Sequence, residues 1–363
     1  MAVTTDAVQT ALKDLIDPNT EKDYISTRSA KNIKVEGADV AVDIELGYPA
    51  KTQLDDIRRT VIAKLRTIPG IGNVSVNMSV KIVAHTVQRG LKPLPGVKNI
   101  IAIASGKGGV GKSTTAVNLA LALAQEGASV GLLDADIYGP SQPQMLGLAG
   151  QKPESEDGTT MDPLRAHGLQ AMSIGFMIDV DSPMVWRGPM VTQALEQLLK
   201  QTSWDDVDYL IVDMPPGTGD TQLTLAQKVP VTGAVIVTTP QDIALIDARK
   251  GLKMFEKVGI PILGLVENMS IHICSQCGHE EHIFGHGGGE QMCEDYDTEF
   301  LGALPLELSI RELTDAGKPT VVGAPDSRAA AIYRSIARRL AVKVAERSRD
   351  MSTKFPNIVV QNT

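Results

Sequence analysis

The sequence predicts an α/β fold: a doubly wound, mostly parallel sheet preceded by a small α/β domain. Five short apolar runs, separated by helical or loop stretches, predict the strands of the sheet; they cover residues 99–104, 130–134, 209–213, 234–238 and 262–266. Uninterrupted apolar runs of this kind are typical of strands covered by helices on both faces. A glycine-rich segment follows the first run. Because sheets of this type bind ligands at the carboxyl ends of their strands, we expect a site at that edge.

The composition narrows the class of protein. The chain has 363 residues, of which 43% are hydrophobic, and 35 lysines and arginines stand against 43 aspartates and glutamates, a net charge of −8. This balance excludes a disordered chain and argues against a protein held to nucleic acid by its overall charge. No stretch reaches the roughly 18 uncharged apolar residues of a membrane span, and the first residues lack the features of a signal peptide. We therefore expect a cytoplasmic protein with neither nucleic-acid nor membrane partners.

Residues 1–88 are predicted to form the small α/β domain. Two stretches alternate apolar and polar residues as half-buried strands do, at positions 40 to 46 and 74 to 82. Between them lies the stripe of an amphipathic helix, formed by Leu54, Ile57, Val61 and Leu65. An earlier helical stretch ends at the turn pair Asp17-Pro18. This domain offers no catalytic constellation.

The rest of the chain is divided by its glycines and prolines. Residues 89–97 begin with two glycines and two prolines in eight positions, which is typical of a linker. The second domain is predicted to span residues 98–347 and to close with a helix over residues 327–347. Residues 348–363 show no periodicity and are predicted to be a loose tail.

A glycine-rich segment at residues 106–113 matches the phosphate-binding pattern G-x-x-x-x-G-K-[ST]. It lies between the apolar run at residues 99–104 and a helical stretch over residues 113–125. Glycines let backbone N–H groups turn toward a phosphate, and the helix N-terminus adds partial positive charge. We expect Lys112 to pair with the β- and γ-phosphates of a nucleotide and Ser113 to ligate Mg²⁺. The predicted nucleotide-binding residues here are Gly106, Lys107, Gly108, Gly109, Val110, Gly111, Lys112, Ser113 and Thr114.

Two acidic segments follow predicted strands, Asp134-Ala-Asp136 and Asp213-Met-Pro-Pro-Gly217. Phosphoryl transfer needs Mg²⁺ to neutralise phosphate oxygens and a group that holds the attacking water in line. Carboxylates at strand ends that face the phosphate loop can supply both. Asp136 is our candidate for positioning the water, with a helix cap or turn residue as the alternative, and Asp213 is our candidate for supporting the Mg²⁺ shell.

The phosphate loop contains a further lysine, Lys107, and with it the loop resembles the motif of a known family. The form Gly-Lys-Gly-Gly-Val-Gly-Lys-Ser-Thr resembles the deviant Walker A motif of the proteins that include ParA, MinD, the nitrogenase iron protein and the Mrp/ApbC proteins. The resemblance implies that Lys107 reaches the nucleotide of a partner chain, in a homodimer that encloses two ATP molecules. It also implies a role for Asn268 in binding adenine, although an asparagine at a strand end is commonly a turn residue.

The cysteines and histidines are concentrated in one segment. Residues 272–293 contain all three cysteines and four of the six histidines. Cys274 and Cys277 have the two-residue gap that lets both thiolates turn toward one metal centre. Two thiolates do not complete a four-iron cluster, but a two-fold dimer brings four together. One alternative is a zinc site in one chain, formed by Cys274, Cys277, His282 and His286; another is a thiol–disulfide pair or an inert loop. Cys293 is expected to be a buried small side chain, with a ligand or reactive thiol as the alternative.

Taken together, these motifs resemble the Mrp/ApbC iron–sulfur carrier ATPases. The resemblance covers about residues 95–345 and includes Glu267-Asn-Met-Ser270 and the loop Phe284-Gly-x-Gly-Gly-Gly289; the first domain resembles the MIP18-like domain often fused to them. It implies a [4Fe–4S] cluster that bridges two chains and is passed to apo-proteins, with ATP hydrolysis coupled to transfer. The implied partners are a second copy, apo iron–sulfur proteins and cluster scaffold proteins. Cys293 and the density of histidines depart from the family motif.

Two other functions are compatible with parts of the sequence. A spatial organiser similar to MinD or ParA would use the ATP-driven dimer and keep the cysteine loop as a structural zinc site. That class does not need the paired cysteines, and the last residues lack a basic amphipathic helix. A reductase similar to the nitrogenase iron protein also bridges a cluster, but its ligand cysteines lie far apart in the sequence.

Overall fold

The computed structural model describes residues 3–85, 91–155, 157–177, 188–274 and 276–354. Contacts divide the chain into two compact units. One comprises the residues up to Val83, Gln125–Gly127 and the C-terminal segment from Ala341; the other comprises Ala84–Ala124 and Ala128–Leu340. The predicted linker overlaps residues 86–90, which lie outside the described residues.

The first unit contains a three-stranded sheet and two helices in its described N-terminal part. Its elements are α1 (Thr5–Lys13), β1 (Ala30–Glu36), β2 (Asp39–Leu46), α2 (Leu54–Leu65) and β3 (Val74–Val80). Strand β2 is central, antiparallel to β1 and parallel to β3. The alternating apolar side chains of β2 are buried as the sequence pattern predicts, and so is the stripe of α2 except for Leu54, which is half-buried. Strand β1 was not predicted, because its side chains are only half-buried or exposed and leave no apolar alternation.

The second unit is built on one large sheet. Its strands are β4 (Val97–Ala104), β5 (Val130–Asp134), β6 (Leu164–Ala166), β7 (Leu169–Ser173), β8 (Val207–Asp213), β9 (Gly233–Thr238), β10 (Ile262–Ile273), β11 (Glu280–Glu281) and β12 (Phe300–Pro305). Their order is β11-β10-β9-β4-β8-β5-β7-β6, with β12 paired to β10. The pairs are parallel except at β6 with β7 and at β11 with β10. The doubly wound, mostly parallel sheet is confirmed.

Helices connect these strands. They are α3 (Lys112–Gln125), α4 (Gln142–Met145), a 3₁₀ turn (Ile174–Phe176), α5 (Gly188–Gln201), α6 (Asp220–Lys228), α7 (Asp242–Lys257), α8 (Gly288–Asp295), α9 (Leu308–Asp315), α10 (Thr320–Gly323) and α11 (Arg328–Lys354). The side chains of β5, β7 and β9 are buried along their whole length. Because both faces of these strands are covered, the functional groups have to emerge at the strand ends.

Three features differ from the sequence prediction. All five predicted strands exist, but β10 continues beyond Val266 to Ile273, and β6, β7, β11 and β12 were missed. Helix α11 continues to Lys354, so residues 348–354 are helical although they were predicted to be part of a loose tail. The sequence contains no glycine or proline that would end the helix before Pro356. No helix among the described residues is both long and apolar enough to cross a membrane.

Candidate nucleotide site and cysteine turn

The phosphate loop lies between β4 and α3, as predicted. Gly109 and Gly111 both have a φ of 81°, in the left-handed region that favours glycine. A Cβ at Gly106 would collide with the backbone of Asp247 on α7, and a Cβ at Gly111 would collide with the amide of Asn268. The glycines are therefore required by backbone conformation and by close packing. This loop ends at the N-terminus of α3, where an anion is favoured.

Lys112 forms a buried ion pair at the start of α3. Its ammonium contacts the carboxylate of Asp213, the last residue of β8, and lies 3.2 Å from the Ser113 hydroxyl oxygen. Lys112 is 6% exposed and Asp213 is fully buried. The structure thus brings together the residues predicted to bind phosphate and Mg²⁺. The loop geometry, a buried cation, a hydroxyl and a carboxylate fit the chemistry of a Mg²⁺–nucleotide site.

Asp134, at the end of β5, organises the segment that follows it. Its carboxylate accepts hydrogen bonds from the backbone N–H groups of Asp136, Ser141 and Gln142, at 3.0–3.2 Å, and from the Ser173 hydroxyl at 3.1 Å. Burial, reinforced by the neighbouring Asp213 carboxylate, raises the pKa of Asp134 to about 7. Asp134 therefore holds the loop after β5 in place, a role that the sequence prediction did not give it.

Asp136 and Lys107 are less buried than Lys112. The pKa of Asp136 is raised, mainly by partial burial, while the positive charge of Lys112 acts to lower it. Asp136 thus lies within electrostatic reach of the predicted phosphate site. Lys107 is half-buried, and its carbonyl accepts a hydrogen bond from the Ser105 hydroxyl at 2.9 Å. Its predicted contact with the nucleotide of a partner chain stays a prediction.

Asn268 lies against the phosphate loop. Its side-chain amide is buried and donates a hydrogen bond to the carbonyl of Val110 at 2.9 Å. The strand is irregular here: the pairing of β10 with β12 shifts between Glu267 and Ile271, and Met269 has a φ of 57°. Such irregularities redirect side chains near functional sites. The observed contact couples Asn268 to the loop, and its adenine-binding role stays a prediction.

Glu267 was missed by the sequence prediction as a functional residue. Its buried carboxylate accepts hydrogen bonds from the Ser270 hydroxyl and from the backbone N–H of Gly289, both at 2.7 Å. Gly289 is the second residue of the helix α8, so Glu267 fixes the segment that follows the cysteines to the strand that precedes them. The signal available in the sequence was a carboxylate inside an otherwise apolar strand.

The paired cysteines form a tight turn directly after β10. The N–H of Cys274 donates to the carbonyl of His279 at 2.9 Å, and the N–H of Gly278 donates to the carbonyl of Cys274 at 2.8 Å. Cys274 is half-buried and Cys277 is exposed. Hydrogen bonds from the backbone N–H groups of Gln276 and Cys277, and from the Cys277 side chain, lower the pKa of the Cys274 thiol. A lowered pKa favours the thiolate that binds metals.

The histidines near the cysteine turn have contacts of their own. His282 is bonded through Nδ1 to the Ser270 carbonyl at 2.9 Å, and its ring centroid lies 5.0 Å from that of His286. His272 is bonded through Nδ1 to the Leu306 carbonyl at 3.1 Å. Over the described ranges, no group of three or more histidine, cysteine, aspartate and glutamate side chains is placed to hold a metal ion. The four-ligand zinc site predicted as the alternative is therefore not assembled.

Cys293 differs from the paired cysteines. It lies on α8 and is buried, as the sequence predicted. Burial raises the pKa of its thiol to about 12, and the nearby carboxylates of Glu299, Glu290 and Glu267 act in the same direction. A thiol in such surroundings stays protonated and behaves as a small apolar side chain.

The fold and these residues define a P-loop NTPase with an exposed dithiol turn. Residues 96–341 match the family described as NUBPL iron-transfer P-loop NTPase, and residues 5–78 match the family described as iron-sulfur cluster assembly protein. The iron-sulfur cluster carrier protein of Escherichia coli is 55% identical over 303 residues, which cover 84% of this chain and 82% of that protein. The chain belongs to the NUBPL iron-transfer family of P-loop NTPases.

Solved structures agree with this assignment. The nucleotide-binding protein of Archaeoglobus fulgidus, solved in complex with ADP, is 35% identical with a TM-score of 0.56, over 64% of this chain and 90% of that one. The cell-division ATPase MinD of Pyrococcus furiosus is 24% identical with a TM-score of 0.50, over 67% of this chain and 98% of that one. At that identity the likeness to MinD shows the fold alone. The family match favours the carrier over the spatial organiser.

Proposed function

We propose that this protein is a homodimeric ATPase that carries a [4Fe–4S] cluster and delivers it to apo-proteins. The observation that carries the proposal is the pair formed by the half-buried Cys274 and the exposed Cys277. They follow the strand β10, on which Asn268 contacts the phosphate loop, and Cys274 comes six residues after Asn268. A cargo that has to leave needs an accessible site, and these two thiols are accessible. The name of the Escherichia coli relative, iron-sulfur cluster carrier protein, supports the same function.

The cluster is the cargo, and one chain supplies half of its ligands. A [4Fe–4S] cluster takes four thiolates. Cys293 does not add a third, because it is buried and its pKa is raised. A two-fold axis that brings two cysteine turns together supplies Cys274 and Cys277 twice. The closed set of four thiolates then exists only in the dimer.

The phosphate loop supplies the groups for ATP hydrolysis. Lys112 would bind the β- and γ-phosphates, with Ser113 and Asp213 holding Mg²⁺ directly or through its waters. The Mg²⁺ ion neutralises charge on the phosphate oxygens. Asp136 would hold the attacking water, and Lys107 would reach the nucleotide of the partner chain. The Lys112–Asp213 ion pair has to loosen when phosphate arrives, because the lysine then gains a second anionic partner.

Strand β10 offers a route by which hydrolysis can affect the cluster. Asn268 donates to Val110 in the phosphate loop, Glu267 holds Gly289 at the start of α8, and the strand runs on to Ile273, next to Cys274. A shift of the loop on nucleotide binding would therefore move the strand that carries the thiols. Recruitment of recipients by the first domain, and a cytoplasmic location, are further parts of the proposal.

Cluster transfer to an acceptor tests the proposal. The reconstituted protein is mixed anaerobically with an apo-ferredoxin of the four-iron type, and the rate of cluster appearance is measured with and without Mg-ATP. We expect transfer, and a rate that ATP changes in the wild type but not in Asn268→Ala. Ser309→Ala, a change at an exposed residue of α9, serves as the control and should respond to ATP like the wild type. Failure of the wild type to transfer the cluster would contradict the carrier function.

A further inference from the structure

Gln142 belongs to none of the motifs, yet it lies inside the predicted Mg²⁺–nucleotide site. It is the first residue of α4, eight positions after Asp134, and is 1% exposed. Its side-chain Nε2 donates to the carboxylate of Asp213 at 2.9 Å and to the backbone carbonyl of Ser113 at 3.1 Å. One amide thus joins the loop after β5 to the end of β8 and to the start of α3.

The orientation of this amide is fixed by its neighbours. The Asp213 carboxylate and the Ser113 carbonyl are acceptors, so the NH₂ group of Gln142 has to face them. The oxygen, Oε1, is then buried, and it has no hydrogen-bond donor among the described residues. The hydroxyl of the preceding Ser141 is also buried without a partner in the part of the chain that is described. Orphaned buried polar atoms cost free energy and indicate a missing ligand or water.

The chemistry of Oε1 selects among possible ligands. A carbonyl oxygen accepts hydrogen bonds and repels other acceptors, so it does not suit phosphate oxygens. Mg²⁺ in nucleotide sites keeps several water molecules, whose O–H groups are strong donors. Ser113 and Asp213, the two residues that Gln142 contacts, are those predicted to hold the ion. A water of the Mg²⁺ shell is thus the donor that fits this position.

We infer that Gln142 is a positioning residue of the Mg²⁺ shell: its Nε2 holds Asp213 beside Ser113, and its Oε1 accepts a hydrogen bond from a Mg²⁺-bound water. The inference rests on the proposed nucleotide site. It assigns Gln142 no contact with phosphate and no proton transfer. Its removal should therefore weaken the binding of Mg²⁺ and leave the metal-free contacts with the nucleotide in place.

The test measures ADP affinity by calorimetry on the full chain, first in EDTA and then across a Mg²⁺ titration. ADP is used because no attacking water takes part. For Gln142→Leu, which keeps the side-chain volume, we expect an affinity in EDTA within about twofold of the wild type. Mg²⁺ increases the affinity for ADP, and the Mg²⁺ concentration that gives half of this increase should be about tenfold higher in the variant. A tenfold change corresponds to the loss of one or two hydrogen bonds. Gln144→Leu, an exposed position on the same helix, should match the wild type.

Two results would overturn the inference. Gln142→Leu could keep the Mg²⁺ dependence of the wild type, or it could lose affinity equally with and without Mg²⁺, which would indicate a structural role only. Melting temperatures without ligand check the fold, and Gln142→Met, with a more flexible apolar side chain, replaces the leucine variant if that does not fold. If wild-type ADP binding does not depend on Mg²⁺ at all, or survives Lys112→Ala, the proposed nucleotide site itself is wrong.

Discussion

The phosphate loop and the cysteine turn differ in how much of each site one chain supplies. At the loop, Lys112 and Asp213 are buried and paired, and Ser113, Gln142 and the Asp134 segment lie around them. At the turn, Cys274 is half-buried, Cys277 is exposed, and the neighbouring histidines are bonded to backbone carbonyls instead. Strand β10 contacts the first site and ends at the second. One chain thus supplies a buried, internally paired nucleotide site, whereas under the proposed function it supplies only half of the cluster ligands.

Removing one thiol should have the largest effect. In Cys274→Ala, iron bound after anaerobic reconstitution should fall from about four per dimer to near zero, because two thiolates remain where a cluster takes four. ADP affinity should stay within about twofold of the wild type, since no residue of the phosphate loop is changed. Cys293→Ala is the matched control and should retain its iron. Iron retention in Cys274→Ala would place the cluster elsewhere.

The reactivity of the three thiols sharpens the same contrast. Iodoacetamide should modify Cys274 and Cys277 of the cluster-free folded chain at pH 8, with Cys293 at least about 1000-fold slower, because its pKa of about 12 leaves almost no thiolate and its side chain is buried. Peptide mass spectrometry against time gives the three rates. In urea the difference should largely disappear. Rapid modification of Cys293 in the folded chain would show that the region around α8 opens.

Lys112→Ala tests the nucleotide side. We expect ADP affinity to fall about 100-fold, since a charged hydrogen bond to phosphate is lost. The variant should also be less stable by roughly 3–5 kcal/mol, because Asp213 remains buried without its cation. Calorimetry and thermal unfolding give the two quantities. Lys257→Ala, at an exposed position at the end of α7, is the control. If Lys112→Ala binds ADP as tightly as the wild type does, the assignment of the phosphate loop is wrong.

The smallest expected effect concerns Asp134, whose titration should make the free energy of unfolding depend on pH. Its pKa is raised from 3.8 to about 7 in the folded chain, so the folded state holds a proton that the unfolded state has released. Between these values, stability should fall as pH rises, by at most about 1.4 kcal/mol per unit. Urea unfolding at pH 5, 6, 7 and 8 measures it. Asp134→Asn should reduce the dependence of stability on pH, and Asp157→Asn, at an exposed position, should not. If the wild type and Asp134→Asn show the same dependence, Asp134 does not titrate in this pH range.

Features of the fold and the site could be predicted from the sequence where their signal lies in one contiguous segment of the chain. The phosphate loop was predicted because its motif is contiguous and the backbone needs its glycines, as at Gly109 and Gly111. Asp213 was predicted because it ends an apolar run. Gln142 and Glu267 were missed, since their importance depends on which strands are neighbours in the sheet. Strand β1 was missed because an edge strand with little buried surface has no apolar pattern.

The most direct test of the central claim, that two cysteine turns share one cluster, is the iron and sulfide content of the reconstituted protein together with its mass in solution. The account predicts a dimer with about four iron and four sulfide per two chains and a broad absorption band near ~400 nm. A monomer with four iron per chain, or one zinc per chain without sulfide, would contradict it.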